Sequence, residues 1–179
     1  MHLVLMGLRG SGKSTLGARL AARHRLRFVD LDQRTPGILG VRSVAEAWNR
    51  YGEAAFREAE VAALREVIDE DPEILALGGG TPMAPGGADL VRSLKEPGGA
   101  SRPRVVYLRA DAATLARRLR ESGVADRPSL TGTDPINEIA QVLAMRDPVY
   151  LALADAVVET GRLDLEGALR ELDSMLGRG

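Results

Sequence analysis

A single-domain, three-layer α/β fold with a parallel sheet is predicted by three features of the 179-residue sequence. Short apolar segments alternate with helix-period segments from end to end. The apolar segments are hydrophobic at nearly every position, as strands buried on both faces of a parallel sheet are. Between the first strand-like segment and the first helix-like one lies Gly7-x-x-x-x-Gly12-Lys13-Ser14, a glycine-rich turn placed where such folds bind anions.

The strand segments are 2–6 (HLVLM), 27–31 (RFVDL), 73–77 (EILAL), 104–108 (RVVYL) and 156–159 (AVVE). Apolar stripes at i, i+3, i+4, i+7 mark helices between and after them. Ala112, Leu115, Ala116 and Leu119 form one stripe, and Ile136, Ile139, Ala140 and Leu143 another. Leu165, Leu169, Leu172 and Leu176 mark the last helix. Core packing accounts for all three. Right-handed crossovers then place ligands beyond the carboxyl ends of the strands. Two connections interrupt the pattern. Residues 96–104 (EPGGASRPR) form a polar surface loop with no assigned function. Residues 121–135 (ESGVADRPSLTGTDP) form a connection of the length usual for functional lids, with Arg127 at its centre.

Composition excludes several function classes. Hydrophobic residues make up 45% and charged residues 27%, and the formal net charge is −1, so no global field points to a nucleic acid or a membrane surface. No apolar run approaches the roughly 20 residues that span a bilayer, and the first residues show no signal-peptide pattern. The expectation is a cytoplasmic protein. With no cysteine there is no disulfide, thiolate nucleophile or zinc–thiolate site. His2 and His24 are the only histidines, and His24 falls at the end of the first helical pattern, where a C-terminal helix position explains it. Of the 24 basic residues only Lys13 and Lys95 are lysine. A lysine inside the glycine-rich turn therefore points to a use for a compact ammonium that arginine does not imitate.

The turn's chemistry follows from its groups. Gly7, Gly10 and Gly12 let successive backbone N–H groups face an anion, and the N-terminus of the following helix adds its dipole. Lys13 can reach the β- and γ-phosphates, and the Ser14 hydroxyl can ligate Mg²⁺. A nucleoside triphosphate is the expected ligand; a flexible turn with an incidental lysine is the alternative. After the second strand, FVDLD places Asp30 and Asp32 two positions apart, on one side if the segment stays extended. They lie beside the phosphate loop if strands one and two neighbour the switch point of the sheet. One carboxylate would organise magnesium water and the other an acceptor hydroxyl; helix capping by Asp32 is the competing explanation. After the third strand, Gly78, Gly79 and Gly80 offer bare backbone for the close approach of a ligand.

The segments GLRGSGKST, DLD, FREAE (56–60), GGG, DRPSLTG (126–132) and RDPVY (146–150) follow one another across nearly the whole chain. On these segments the sequence resembles the shikimate kinase family. The resemblance implies a P-loop kinase fold of the nucleoside-monophosphate-kinase type, with strand order 2-3-1-4-5 and a mobile lid over about 121–135. It implies transfer of the γ-phosphoryl group of ATP to the 3-hydroxyl of shikimate, with Mg²⁺, in aromatic amino-acid biosynthesis, by a monomer. Catalytic roles fall on Lys13, Asp32 and Arg127. Nucleotide contacts fall on Gly10, Ser11, Gly12, Lys13, Ser14, Thr15, Arg118 and Arg127. Ser14 and Asp30 take the metal, and Asp32, Arg57, Gly78, Gly79, Gly80 and Arg146 form the acid pocket. Arginine's planar fork suits a carboxylate. Glu60 lies three residues after Arg57 on a helix and can orient it, although such a pair taken alone reads as a solvated surface contact. Arg118 would pack against adenine, unless it belongs only to the charged face shared with Arg117 and Arg120.

The sequence also departs from the family pattern. Arg9 is a large charged residue in a loop where smaller ones are common, Val149 stands where leucine is usual, and ETGRLDL (159–165) lacks an Asn- or Pro-marked adenine loop. A gluconate-type kinase and a nucleotide-binding regulatory module remain as alternatives. FREAE and RDPVY argue against the first, and the second needs no acid pocket. A nucleotide acceptor would need a base pocket, and two Phe, three Tyr and one Trp offer few rings to build it.

Overall fold

Four consecutive buried residues, Leu3–Met6, make β1 the centre of a five-stranded parallel sheet. The computed structural model describes residues 1–95, 102–122 and 138–176. β2 (Phe28–Asp30), β3 (Ile74–Ala76), β4 (Arg104–Arg109) and β5 (Ala156–Glu159) complete the sheet in the order 2-3-1-4-5. Leu3 sits in register with Ile74 on one side and Arg104 on the other. This is the order that the resemblance implies. β3 therefore separates β2 from β1.

Side chains alternate along β1 between two cores. Leu3 and Leu5 pack with Leu16 and Leu20 of α1 (Lys13–His24) and with Leu169 and Leu172 of α7 (Leu165–Met175). Val4 and Met6 belong to the opposite core, to which Leu31 of α2 (Leu31–Ile38), Leu64 and Val67 of α3 (Val44–Glu70) and Val91 of α4 (Gly87–Ser93) contribute. Leu115 of α5 (Ala112–Glu121) and Val142 and Tyr150 of α6 (Ile139–Leu153) complete that face. Both faces of the sheet are covered, which explains why its strands read as continuous apolar runs rather than alternating ones.

Local chemistry sets the element ends. Asp30 accepts a hydrogen bond at 3.0 Å from the N–H of Asp32, which makes it the N-cap of α2 and stops β2. Asp30 and Asp32 thus do not share one side of a strand, and the capping residue is Asp30 rather than Asp32. α3 breaks at Gly52, whose φ of 79° lies outside the helical region. At the end of α1, His24 Nε2 lies 2.6 Å from Asp173 of α7, in keeping with its place in the last turn. No described helix is long and apolar enough to cross a membrane. Arg127, Ile136, most of the expected lid and most of the 96–104 loop lie outside the described residues.

Candidate active site

The phosphate loop is built against the carboxyl end of β4. Gly7 has φ of 147°, and a Cβ there would lie 2.6 Å from the Leu108 carbonyl oxygen, so no larger residue enters without displacing the strand. Gly12 is the N-cap of α1, and a glycine supplies no oxygen to the first amides of that helix, which face the cleft instead. Lys13 is buried, and its Nζ donates to the carbonyls of Gly7 at 2.8 Å and Leu8 at 3.2 Å. The ammonium is thereby held over the loop's own backbone.

A cleft of about 460 Å³ runs from this loop between α5 and the start of α7. All of Gly10, Ser11, Gly12, Lys13, Ser14 and Thr15 line it. Arg118 lines it too and donates to the carbonyl of Thr160 at 2.6 Å, whereas Arg117 turns outward to Glu121. The far end is formed by Thr160, Leu163 and Leu165. This is the ETGRLDL segment, which sequence reasoning left without a role. Its signal was the leucine pair rather than an Asn or Pro marker. Thr160 also donates to the carbonyls of Ser11 and Arg109, so it ties the ends of β4 and β5 to the phosphate loop.

A second, smaller cleft of about 60 Å³ opens beside the first. Arg57 and Arg146 line it, with Trp48, Phe56, Gly79 and Gly80. Arg57 bonds Glu60 at 2.5 Å and Glu53 at 3.2 Å, and its guanidinium lies 5.2 Å from the centre of the Trp48 ring. Glu60 is 1% exposed, so this is an interior ion pair rather than the solvated surface contact its spacing suggests. Burial pushes the Glu60 carboxyl above the usual carboxylate range despite the pull of Arg57. Arg146 donates to the Gly79 carbonyl at 3.0 Å, and the Tyr150 hydroxyl donates to the same oxygen at 2.5 Å. Burial raises the Tyr150 hydroxyl to about 12, so it stays protonated as that bond requires. Asp147, the next residue after Arg146, accepts from Tyr107 at 2.7 Å and from Arg109 at 2.8 and 2.9 Å. These bonds fix the rotation of α6 about its axis and hold the Asp147 carboxyl below its ordinary range, Arg109 first. The sequence reading did not assign Asp147 or Tyr150 individually.

Gly79 and Gly80 line the second cleft, and Gly78 and Gly80 also make room for side chains of the protein itself. A Cβ on Gly78 would meet Glu60 Oε1 at 2.3 Å and Asp32 Oδ1 at 2.8 Å, and one on Gly80 would meet the Arg57 guanidinium at 1.8 Å. Side chains of the protein itself stand above both. Gly78 does not line the second cleft; it lies against the carboxylates of Glu60 and Asp32. Gly80→Ala is therefore expected to push the Arg57 guanidinium off its buried partner Glu60, lowering the melting temperature and raising the KM for the acceptor by at least about tenfold. Steady-state kinetics with a parallel melting curve checks this, and an unchanged KM would contradict it.

Arg9 and Asp32 line both clefts. Asp32 stands in the first turn of α2, half-buried, at the boundary that a transferred group must cross. Ser14 begins the exposed rim of the phosphate loop, and Asp30 presents one carboxylate oxygen to the Asp32 amide. Ser14 lines the first cleft together with Asp32, whereas Asp30 lines neither cleft. No group of three or more His, Cys, Asp or Glu that would cage a metal occurs among the described residues.

Comparison with known proteins gives one answer. Residues 9–176 match the family model described as Shikimate kinase. The chain is 36% identical over 172 residues to a shikimate kinase of Bordetella pertussis, covering 96% of this chain and 76% of that one. It is 34% identical over 176 residues to one of Aromatoleum aromaticum, covering 98% and 94%. A shikimate kinase from Acinetobacter baumannii, solved in complex with shikimate, superposes with a TM-score of 0.81 at 26% identity, covering 97% of this chain and 91% of that one. One from Bacteroides thetaiotaomicron gives 0.80 at 28% identity, covering 98% of each. A deoxyadenosine kinase from M. mycoides, at a TM-score of 0.59 and 13% identity, shares the fold alone. With the phosphate loop, the arginine-lined second cleft and this match over nearly its whole length, the chain belongs to the shikimate kinase family.

Proposed function

We propose that this chain transfers the γ-phosphoryl group of ATP to the 3-hydroxyl of shikimate. The observation that carries the reading is the pair of adjoining clefts, one ending in the phosphate loop and the other lined by Arg57 and Arg146, with Asp32 on both. The phosphate loop binds the triphosphate through its amides and Lys13. Arg57 and Arg146 hold the acceptor's carboxylate, and their rigid support from Glu60, Trp48 and Gly79 limits the rotamers lost on binding. Asp32 bonds the acceptor hydroxyl, aims its lone pair at phosphorus and takes its proton as the new bond forms. Magnesium, held through Ser14 and Asp30, supplies charge neutralisation on the phosphates when bound. Arg127 completes the reading as a further charge on the transferring group. A cytoplasmic monomer goes with the same proposal.

ATP consumption measured in parallel with shikimate, gluconate, AMP and no acceptor tests the reading. Turnover is expected with shikimate alone; turnover with gluconate or AMP and none with shikimate would replace it. Arg146→Ala is expected to weaken shikimate binding roughly ten- to a hundredfold, the value of one charge-assisted bond, with ATP binding nearly unchanged. Separate titration of the two ligands distinguishes this from a general loss of structure, in which both affinities would fall together.

A further inference from the structure

Arg9 is the residue that sets this phosphate loop apart, and the structure gives it a partner. Its guanidinium bonds the carboxylate of Glu138, 129 positions away in sequence, with side-chain exposures of 8% and 0%. Glu138 occupies the N-cap position of α6 but makes no capping bond to that helix. The carboxylate is directed to another element. The same helix carries Arg146 and Tyr150, both bonded to Gly79 O. In turn, Gly79 sits against the phosphate loop, with the backbone N of Arg9 3.5 Å from where its Cβ would be. α6 is thus tied to the walls of the two clefts at both its start and its middle, and Arg9 lines both clefts.

We propose that Arg9 and Glu138 are positioning residues: their ion pair registers the acid-binding helix α6 on the phosphate loop, so that nucleotide held by the loop also steadies Arg146. The inference rests on the assignment of Arg146 to the acid cleft and deepens the proposed phosphoryl transfer. A buried ion pair is a poor source of net stability, since desolvation offsets most of its attraction, but it is directional and tolerates few geometries. Direction is what alignment of donor and acceptor needs, because small misplacements of reacting groups cost large factors in rate. The loop segment around Arg9 becomes more ordered when its amides bind phosphate. Through the pair, that order reaches the first turns of α6.

Two measurements test the proposal, one of which needs no acceptor. Hydrogen exchange of the α6 amides between 139 and 146 is followed with and without Mg·ADP. In the wild type, nucleotide is expected to slow exchange there at least about threefold, and in Arg9→Met the slowing is expected to vanish although Mg·ADP still binds. Because Arg9→Met leaves Glu138 buried without its arginine, the double variant Arg9→Met/Glu138→Met is measured as well, since two apolar residues restore packing. Its melting temperature is expected to match or exceed the wild type's, while kcat stays at least about tenfold low and Arg9→Lys recovers most of it. A nucleotide response that survives in Arg9→Met, or wild-type kcat in the thermally intact double variant, would overturn the proposal. Failure of the wild type to phosphorylate shikimate would overturn the assigned reaction instead, and the exchange result would still decide the role of the pair.

Discussion

Lys13→Arg is expected to lower kcat by at least about a hundredfold, the range seen when one preorganised donor is lost, while the melting temperature stays within a few degrees of wild type. The ammonium is buried and held by the Gly7 and Leu8 carbonyls at 2.8 and 3.2 Å, two acceptors adjacent in the chain. A tetrahedral ammonium meets two such carbonyls and still presents charge to a phosphate oxygen close by. A guanidinium is planar, larger and forked, and its N–H groups diverge in one plane. To keep the carbonyls it must rise out of the loop, and to keep the phosphate it must give them up. Turnover measured at saturating ATP and shikimate, beside a melting curve, checks the expectation. Activity within twofold of wild type with an intact fold would mean that charge alone is needed. The composition points the same way: this chain places arginine at 22 of 24 basic positions and still keeps lysine here.

The sequence disclosed the sheet and the phosphate loop because each is carried by local signals. β1 is legible as LVLM, and the loop as glycines followed by Lys13 and Ser14 at the start of a helix. The order of the strands is not local, and it came only through the family resemblance. Where spacing misleads, a bond that spacing does not show has intervened, local in one case and tertiary in the other. Asp30 and Asp32 look like one side of a strand until Asp30 caps the amide two residues on and turns the chain into α2. Arg57 and Glu60 look like a surface pair until Thr81, Gly78 and Gly80 close over them, contacts made across more than 17 positions of sequence. Arg9 was visible as an anomaly in the loop, but its partner Glu138 was not, since no periodicity links residues 129 apart. Single residues announce unusual chemistry, while their partners emerge only from the fold.

Asp32→Asn is expected to reduce turnover by at least about a hundredfold, at the lower end of general-base effects, with a smaller loss of shikimate affinity. The side chain stands at the boundary of the two clefts, and its Oδ1 lies beside Gly78 and Glu60. Asparagine keeps the shape and one acceptor oxygen, so a hydroxyl can still bind. It removes the charge and nearly all the basicity. The neighbouring pair should survive the change: the charge of Asp32 is one of the factors that raise the Glu60 carboxyl, so its loss lets Glu60 ionise more readily beside Arg57. Ground-state binding of the acid is thereby protected, and the deficit concentrates in the transfer step. Asp30→Asn makes the contrasting case. Asparagine is as good an N-cap as aspartate, so α2 is expected to start where it does now. What changes is the charge at the proposed metal site, and the variant is expected to need more Mg²⁺ and to recover partly when it is supplied in excess. Turnover is titrated with Mg²⁺ for both variants at saturating substrates. Rescue of Asp32→Asn rather than Asp30→Asn would reverse the two assignments, placing the metal at the boundary of the clefts and the acceptor's base at the end of β2.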